Sequence, residues 1–312
     1  MREKVMNISL FSNGLRSVAV AAVLALAPAA SAETLKIEHS SGTTDVEKNP
    51  KTVLVYDFGM LETLDMLGIP VAGVPGSAIP PSLEKYKSDT YPKIGTLFEP
   101  DYEAVNAAEP DLIIVGGRSQ SKYAELAKLA PTIDLTSDDK DLIGSVKKNA
   151  AILGLIFGKE AEIKAASEKL DASIEKLQGV AKGAGTALVL LTTGGKISAY
   201  GKGSRFGEIH DIFGVEPADP KLQVATHGQA VSYEYILETN PDWIFVVDRD
   251  AAIGQEGQPA AALLDNELVR QTKAWKNERV VYLDSAKLYL TSSGLKSEQD
   301  IVDQLTEALS KK

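Results

Sequence analysis

The sequence predicts an α/β fold of two similar lobes, each a mostly parallel sheet flanked by helices, joined by one long α-helix. Three observations predict it. Apolar strand-like runs alternate with helical patterns, a motif recurs at a constant offset, and one long amphipathic segment lies between the copies.

The alternation begins at 52–57 (TVLVYD), a short apolar strand, followed by a helix over 60–67 that Gly68 closes. Residues 71–74 (VAGV) read as the next strand. A helix over 102–108 stops at Glu109-Pro110, and 111–115 (DLIIV) is a buried strand. Apolar strands separated by helices fit a parallel sheet covered on both faces. Residues 142–157 are helical. Residues 160–180 form a long amphipathic helix, with Ile163, Ala166, Leu170, Ile174 and Leu177 at three- or four-residue steps. The glycines of Lys182-Gly183-Ala184-Gly185 end it.

The halves resemble each other. Tyr102-Glu103 followed by Pro110-Asp111-Leu112-Ile113 recurs as Tyr233-Glu234 followed by Pro241-Asp242-Trp243-Ile244, and each copy runs on to an arginine, Arg118 and Arg249. The offset is 131 throughout, from 102 to 233, 110 to 241 and 118 to 249. A second repeat pairs Glu62 and Asp65 with Glu208 and Asp211, at an offset of 146. The division expected is a first lobe over 33–160, a bridging helix over 161–182 and a second lobe over 183–312.

Residues 1–32 read as a secretory signal peptide. Arg2, Lys4 and Arg16 precede the apolar run VAVAAVLALAPAA, and Ala30-Ser31-Ala32 supplies small residues for cleavage after Ala32. No other segment is long and apolar enough to span a membrane. The chain has no cysteine, so it lacks a lipid-attachment thiol, and the compartment expected is a periplasm. Removing 1–32 takes away three basic residues and one acidic residue, leaving 30 against 42 and a net charge of −12. That balance argues against nucleic acid as a partner. No hydrolase elbow, zinc-protease pair, phosphate loop or dinucleotide fingerprint occurs, so the chain does not read as an enzyme.

Candidate binding residues follow from topology. Arg118 and Arg249 come just after buried strands, where ligands of open α/β sheets sit. Arg205 lies in the loop Gly201-Lys202-Gly203-Ser204-Arg205. Three such guanidiniums in an acidic protein suit an anionic, oxygen-rich ligand, although each alone would pass for a solvated arginine. His39 reads as unimportant and His210 as a helix residue. His227 falls in the polar loop Ala225-Thr226-His227-Gly228, and Tyr289 lies between the strand over 280–283 and the last helix.

On these residues, with Leu61-Glu62-Thr63-Leu64, the chain beyond the signal peptide resembles the periplasmic iron-siderophore binding proteins of ABC importers, in the group joined by one long helix. The closest likeness is to the catecholate-siderophore binders. The resemblance implies that Arg118, Arg205 and Arg249 form a positive cleft for a ferric complex. It implies too that His227 and Tyr289 complete the iron sphere when only two catecholates hold the metal. Imidazole nitrogen and phenolate oxygen are suitable donors for ferric iron. It further implies a surface glutamate on each lobe that docks on an inner-membrane ABC permease, with Glu62 and Glu208 as the matching pair. The expected protein is a monomer with no permanent cofactor, carrying its Fe(III)-siderophore as cargo. Another bulky anionic chelate (haem, a corrinoid, ferric citrate or a hydroxamate) stays open as the ligand, and a siderophore-processing hydrolase as the function.

Overall fold

The computed structural model describes Met1, residues 33–222 and residues 227–311. Apart from Met1, the expected signal peptide lies outside the described residues. Among these, no helix is long and apolar enough to cross a membrane.

Strands β1 (Thr34–His39) and β2 (Gly42–Glu47) form an antiparallel hairpin that the sequence reading did not anticipate. Behind it lies a parallel sheet of β3 (Val53–Val55), β4 (Leu112–Val115) and β5 (Thr132–Asp134), in that order. The expected strand at 71–74 is reduced to two parallel bridges, Leu54 with Gly73 and Val74 with Lys93, which extend the sheet past β3. Helices α1 (Phe58–Met66), α2 (Tyr102–Ala108), α3 (Tyr123–Leu126) and α4 (Leu142–Phe157) complete this half. Helix α5 (Glu160–Ala181) then runs from one half to the other, burying Ile163, Leu170, Ile174 and Leu177 as its periodicity predicts.

In the second half, β6 (Thr186–Thr193) pairs antiparallel with β7 (Lys196–Tyr200). Gly194 and Gly195 make the two-residue turn, with φ of +54° and +74°, values that a tight hairpin requires and glycine adopts freely. Helix α6 (Glu208–Asp211), which carries His210, is a single turn. After it come β8 (Glu216–Pro217), β9 (Gln229–Ala230), α7 (Tyr233–Thr239) and β10 (Trp243–Asp248). Helices α8 (Arg249–Ala252), α9 (Ala260–Leu264) and α10 (Lys273–Lys276) lead to β11 (Val280–Tyr282) and the closing α11 (Leu295–Ser310). The sheet order is β11-β10-β6-β7-β9. It is parallel from β11 through β6 and antiparallel beyond, so this half is mixed.

The repeat is physical. Asp101 and Ser232 cap α2 and α7 with their side chains, and both helices end in a left-handed residue, Glu109 at φ +44° and Asn240 at φ +46°. Asp111 then accepts from the backbone N–H groups of Lys51 and Thr52 at 2.8 Å, fixing the entry to β3. Asp242 does the same for β6, accepting from Thr186 N–H at 2.9 Å. The cap, the left-handed stop and the strand-entry carboxylate therefore perform the same task in both halves.

The halves are clasped by the segment leading into α11. Ser293 Oγ donates to Asp57 at 2.7 Å, and Ser297 Oγ donates to Glu62 at 2.6 Å. A Cβ on Gly59 would lie 2.5 Å from the Gly294 nitrogen, so glycine at 59 is what lets α1 approach this closely. This clasp corrects one expectation. Glu62 and Glu208, matched above to surface docking positions, are 3% and 4% exposed and face consecutive residues of α11, Ser297 and Glu298. A carboxylate sealed against a helix cannot meet a partner protein.

Glu298 is fully buried and neither carboxyl oxygen has a hydrogen-bond partner. Burial and the neighbouring Glu208 push its carboxyl well above the usual range. Burial, helped by Asp139 and Asp211 and opposed by Arg205, pushes Glu208 to about 8. Both folded values exceed the roughly 4.3 of an unfolded chain, so the neutral pair's stabilisation is present at low pH and is lost as pH rises through about 8. Thermal melts should show the midpoint dropping by several degrees between about pH 5 and pH 8, and Glu298→Gln should flatten that drop. An unchanged slope in the variant would show the pair to be ionised and hydrated.

Candidate functional site

Because β4 and β10 run parallel to their neighbours, the loops leaving their carboxyl ends share a rim in each half, and both duplicated arginines lie on those loops. Arg118 follows Gly116-Gly117. Any side chain at 116 would strike the Asp57 carboxylate, 2.4 Å from its Cβ, so glycine lets the end of β4 close on α1. Buried Ser119 then ties the loop down, accepting from Gly116 N–H at 3.0 Å and donating to the Tyr56 carbonyl. Arg249 opens α8 beneath its cap Asp248 and donates to Thr193 Oγ1 at 3.2 Å. Arg205 sits in a loop folded by Ser204 Oγ donating to the Gly201 carbonyl at 2.6 Å, and by Gly203 N–H donating to Asp211.

All three guanidiniums converge on Tyr289. Their central carbons lie 4.1 Å (Arg205), 5.3 Å (Arg118) and 5.5 Å (Arg249) from its ring centre. Arg118 and Arg205 both donate to the Tyr289 carbonyl, and Arg249 Nε donates to its phenol oxygen at 2.9 Å. Tyr289 lies in a π-helical turn, Lys287–Thr291, a geometry often found at functional sites. Burial alone would raise the phenol's pKa. The Arg249 hydrogen bond and the charges of Arg205, Arg249 and Arg118 outweigh it and hold the phenol below its usual value. The same crowding lowers Arg118, first through burial and then through the like charge of Arg205, with Asp57 opposing.

A cleft of about 240 Å³ opens beside this cluster, lined by Asp57, Arg118, Ser137, Asp139, Arg205, His227, Leu290, Ser292 and Ser293 among others. His227 is exposed there, directly after residues outside the described set. The structure thus brings Arg118, Arg205, Arg249 and Tyr289 into contact and places His227 on the same cleft. Sequence reasoning missed Asp57, Ser137, Asp139 and Ser293. Asp57 was within reach of the strand-end argument that found Arg118, since it follows β3 directly. The serines carry no signal before folding. A larger groove of about 570 Å³ lies elsewhere, along Gly179–Ala184 with Trp243 and Arg279, at the amino end of β10. It lacks the convergent side chains of the first and sits at the wrong end of the strands for a ligand.

Such a site can hold a compact anion by charge-assisted hydrogen bonds and offer a phenolate oxygen and an imidazole nitrogen to a hard cation. Comparison with known proteins places the fold in a family. The family model described as "Periplasmic binding protein" matches residues 53–286. The petrobactin-binding protein YclQ of Bacillus subtilis is 44% identical over 281 residues, covering 89% of this chain and 88% of that one. The ferric-anguibactin-binding protein of Vibrio anguillarum is 34% identical over 277 residues, 86% of this chain and 85% of the other. Among solved structures, that of YclQ superposes with a TM-score of 0.86, covering 90% of this chain and 100% of that one. The periplasmic catecholate-siderophore binding protein VctP of Vibrio cholerae superposes with a TM-score of 0.83 at 35% identity, covering 88% of this chain and all of VctP. The fold, the shared rim of strand-end loops and these likenesses agree, and the chain belongs to the periplasmic binding protein family.

Proposed function

We propose that this protein captures a ferric catecholate-type siderophore and delivers it to an inner-membrane ABC permease, without covalent chemistry. The observation that carries the reading is the convergence of three arginines on Tyr289. Catecholate oxygens leave a ferric complex anionic, and such a complex is the natural counter-charge for a cluster in which Arg118 and Arg205 share only the Tyr289 carbonyl and Arg249 alone has a carboxylate partner, Asp250 at 3.7 Å. The relatives that bind petrobactin and ferric anguibactin, and a siderophore-binding protein seen with ferric iron and two molecules of acinetobactin, support it. The lobes are taken as 33–160 and 183–312 around the bridge 161–182, on the support of a separate sheet on each side of α5.

His227 and Tyr289 are the protein donors we assign to the iron, Tyr289 as a phenolate whose deprotonation Arg249 already favours. Docking is assigned to a different pair from the buried Glu62 and Glu208. Glu103 and Glu234 are related by the same 131-residue offset, are exposed, and occupy equivalent positions in the first turns of α2 and α7. The amino-terminal run 1–32 is assigned as an export signal cleaved after Ala32, on the support of its basic start, apolar core and small residues.

Titration of the purified protein with a ferric bis-catecholate should show tight binding with a change in the visible spectrum. Arg118→Ala or Arg249→Ala should weaken it about tenfold to a hundredfold, the range for losing charge-assisted hydrogen bonds. His227→Ala and Tyr289→Phe should abolish the spectral change; a change that persists in both would take these residues off the metal. Glu103→Ala and Glu234→Ala should leave affinity intact and impair uptake by cells, and the reverse pattern would sink the docking assignment. Amino-terminal sequencing of the exported protein should read Glu33 first, with any other start moving the cleavage site.

A further inference from the structure

Among described residues 33–311, the most exposed large hydrophobic side chain is Phe98, at 57%. Nothing in the site described above uses it. Its setting is not that of a loose loop. Ile94 and Leu97 on the same segment are buried, and Gly95 N–H-to-carbonyl geometry is fixed by Gly76 N–H donating to its oxygen at 2.8 Å. Thr96 N–H donates to the Glu99 carbonyl at 2.9 Å, while Thr96 Oγ1 accepts from Phe98 N–H at 3.2 Å and Glu99 N–H at 3.0 Å. Gly95 has φ +102°, and a Cβ there would lie 2.3 Å from the Glu99 carbonyl, so the turn closes this tightly only on glycine. The result is a pre-ordered turn that holds a phenyl ring in solvent, and the ring makes no stacking contact with any described aromatic side chain.

Topology places that ring on the binding rim. Lys93 pairs parallel with Val74, and Gly73 with Leu54 of β3, so residues 95–99 leave the sheet at the same edge as Asp57 and Arg118. Lys122, four residues beyond Arg118, donates to Glu99 at 2.8 Å and ties the Phe98 turn to the Arg118 loop. The feature is also one-sided. The offset that duplicates Tyr102, Glu103 and Arg118 puts Gln229 opposite Phe98. A surface that meets a permease would use both lobes alike, whereas a ligand lying across the cleft needs no such symmetry.

We propose that Phe98 is a specificity-determining residue, its exposed face stacking on an aryl ring of the bound complex. The inference rests on the functional reading above and narrows it: the arginines read charge, and Phe98 selects chelates built on catechol or phenol rings. A rigid ring already held in solvent loses little conformational freedom on binding and offers a flat apolar face to another.

Isothermal titration with a ferric bis-catecholate tests it on the full mature protein, using Phe98→Ala, Phe98→Leu and Phe98→Trp. The expected result is a loss of affinity of about 5- to 20-fold in the alanine and leucine variants, with the tryptophan variant near wild type. Melting temperatures should stay close to wild type, since the side chain is exposed. Wild-type affinity in Phe98→Ala would overturn the proposal. So would full retention by Phe98→Leu, which keeps apolar cover without a ring. Unchanged affinity with reduced cellular uptake in Phe98→Ala would also overturn it, assigning the ring to the permease. If the wild-type protein bound no catecholate complex at all, the functional reading itself would fail and the stacking role with it.

Discussion

Three guanidiniums gathered around one tyrosine form the constraint on which the rest of this molecule depends. Like charges repel, and half-burial removes the water that would screen them. The chain offsets this with oxygen dipoles, the Tyr289 carbonyl for Arg118 and Arg205 and its phenol oxygen for Arg249. Tyr289 can serve all three because it sits where the halves meet, its side chain packed against both of the main cores. The cluster is held in place, and only Arg249 among the three has a carboxylate partner, Asp250 at 3.7 Å. Asp57 and Asp139 lie along the same cleft as Arg118 and Arg205 but close no ion pair on them. The positive charge left uncompensated on Arg118 and Arg205, in an otherwise acidic protein, calls for an anionic counter-charge.

Keeping the cluster together demands a firm junction. The clasp from Asp57 to Ser293 and from Glu62 to Ser297, closed by the contact of Gly59 with Gly294, locks the segment carrying Tyr289 onto the first half. Helix α11 continues from that segment and packs along α5. A long helix bridging the halves and a second one lying on it favour small adjustments over wide hinge closure. The buried carboxyls Glu62, Glu208 and Glu298 belong to this junction. They are tolerated because two of them are held neutral by burial and the third accepts a serine hydroxyl.

The sequence by itself determined the two-lobed plan, because strand-length apolar runs and a 131-residue repeat are local signals that survive without coordinates. It also singled out Arg118 and Arg249, since the end of a parallel strand is a position that topology makes functional, while Arg205 stood out only by its glycine-rich loop. It did not determine the hairpins at 34–47 and 186–200, whose pairing depends on which edges are left open once the parallel strands assemble. Nor did it fix the fate of Glu62 and Glu208. Their matched spacing looked like a surface pair, and only the packing of α11 decides that they face inward. The exposed pair, Glu103 and Glu234, stood in the same repeat all along, but exposure is a property of neighbours distant in sequence. The convergence on Tyr289 was likewise settled by tertiary structure, because hydrogen bonds spanning 171 and 84 residues form only when a clasp brings their partners together.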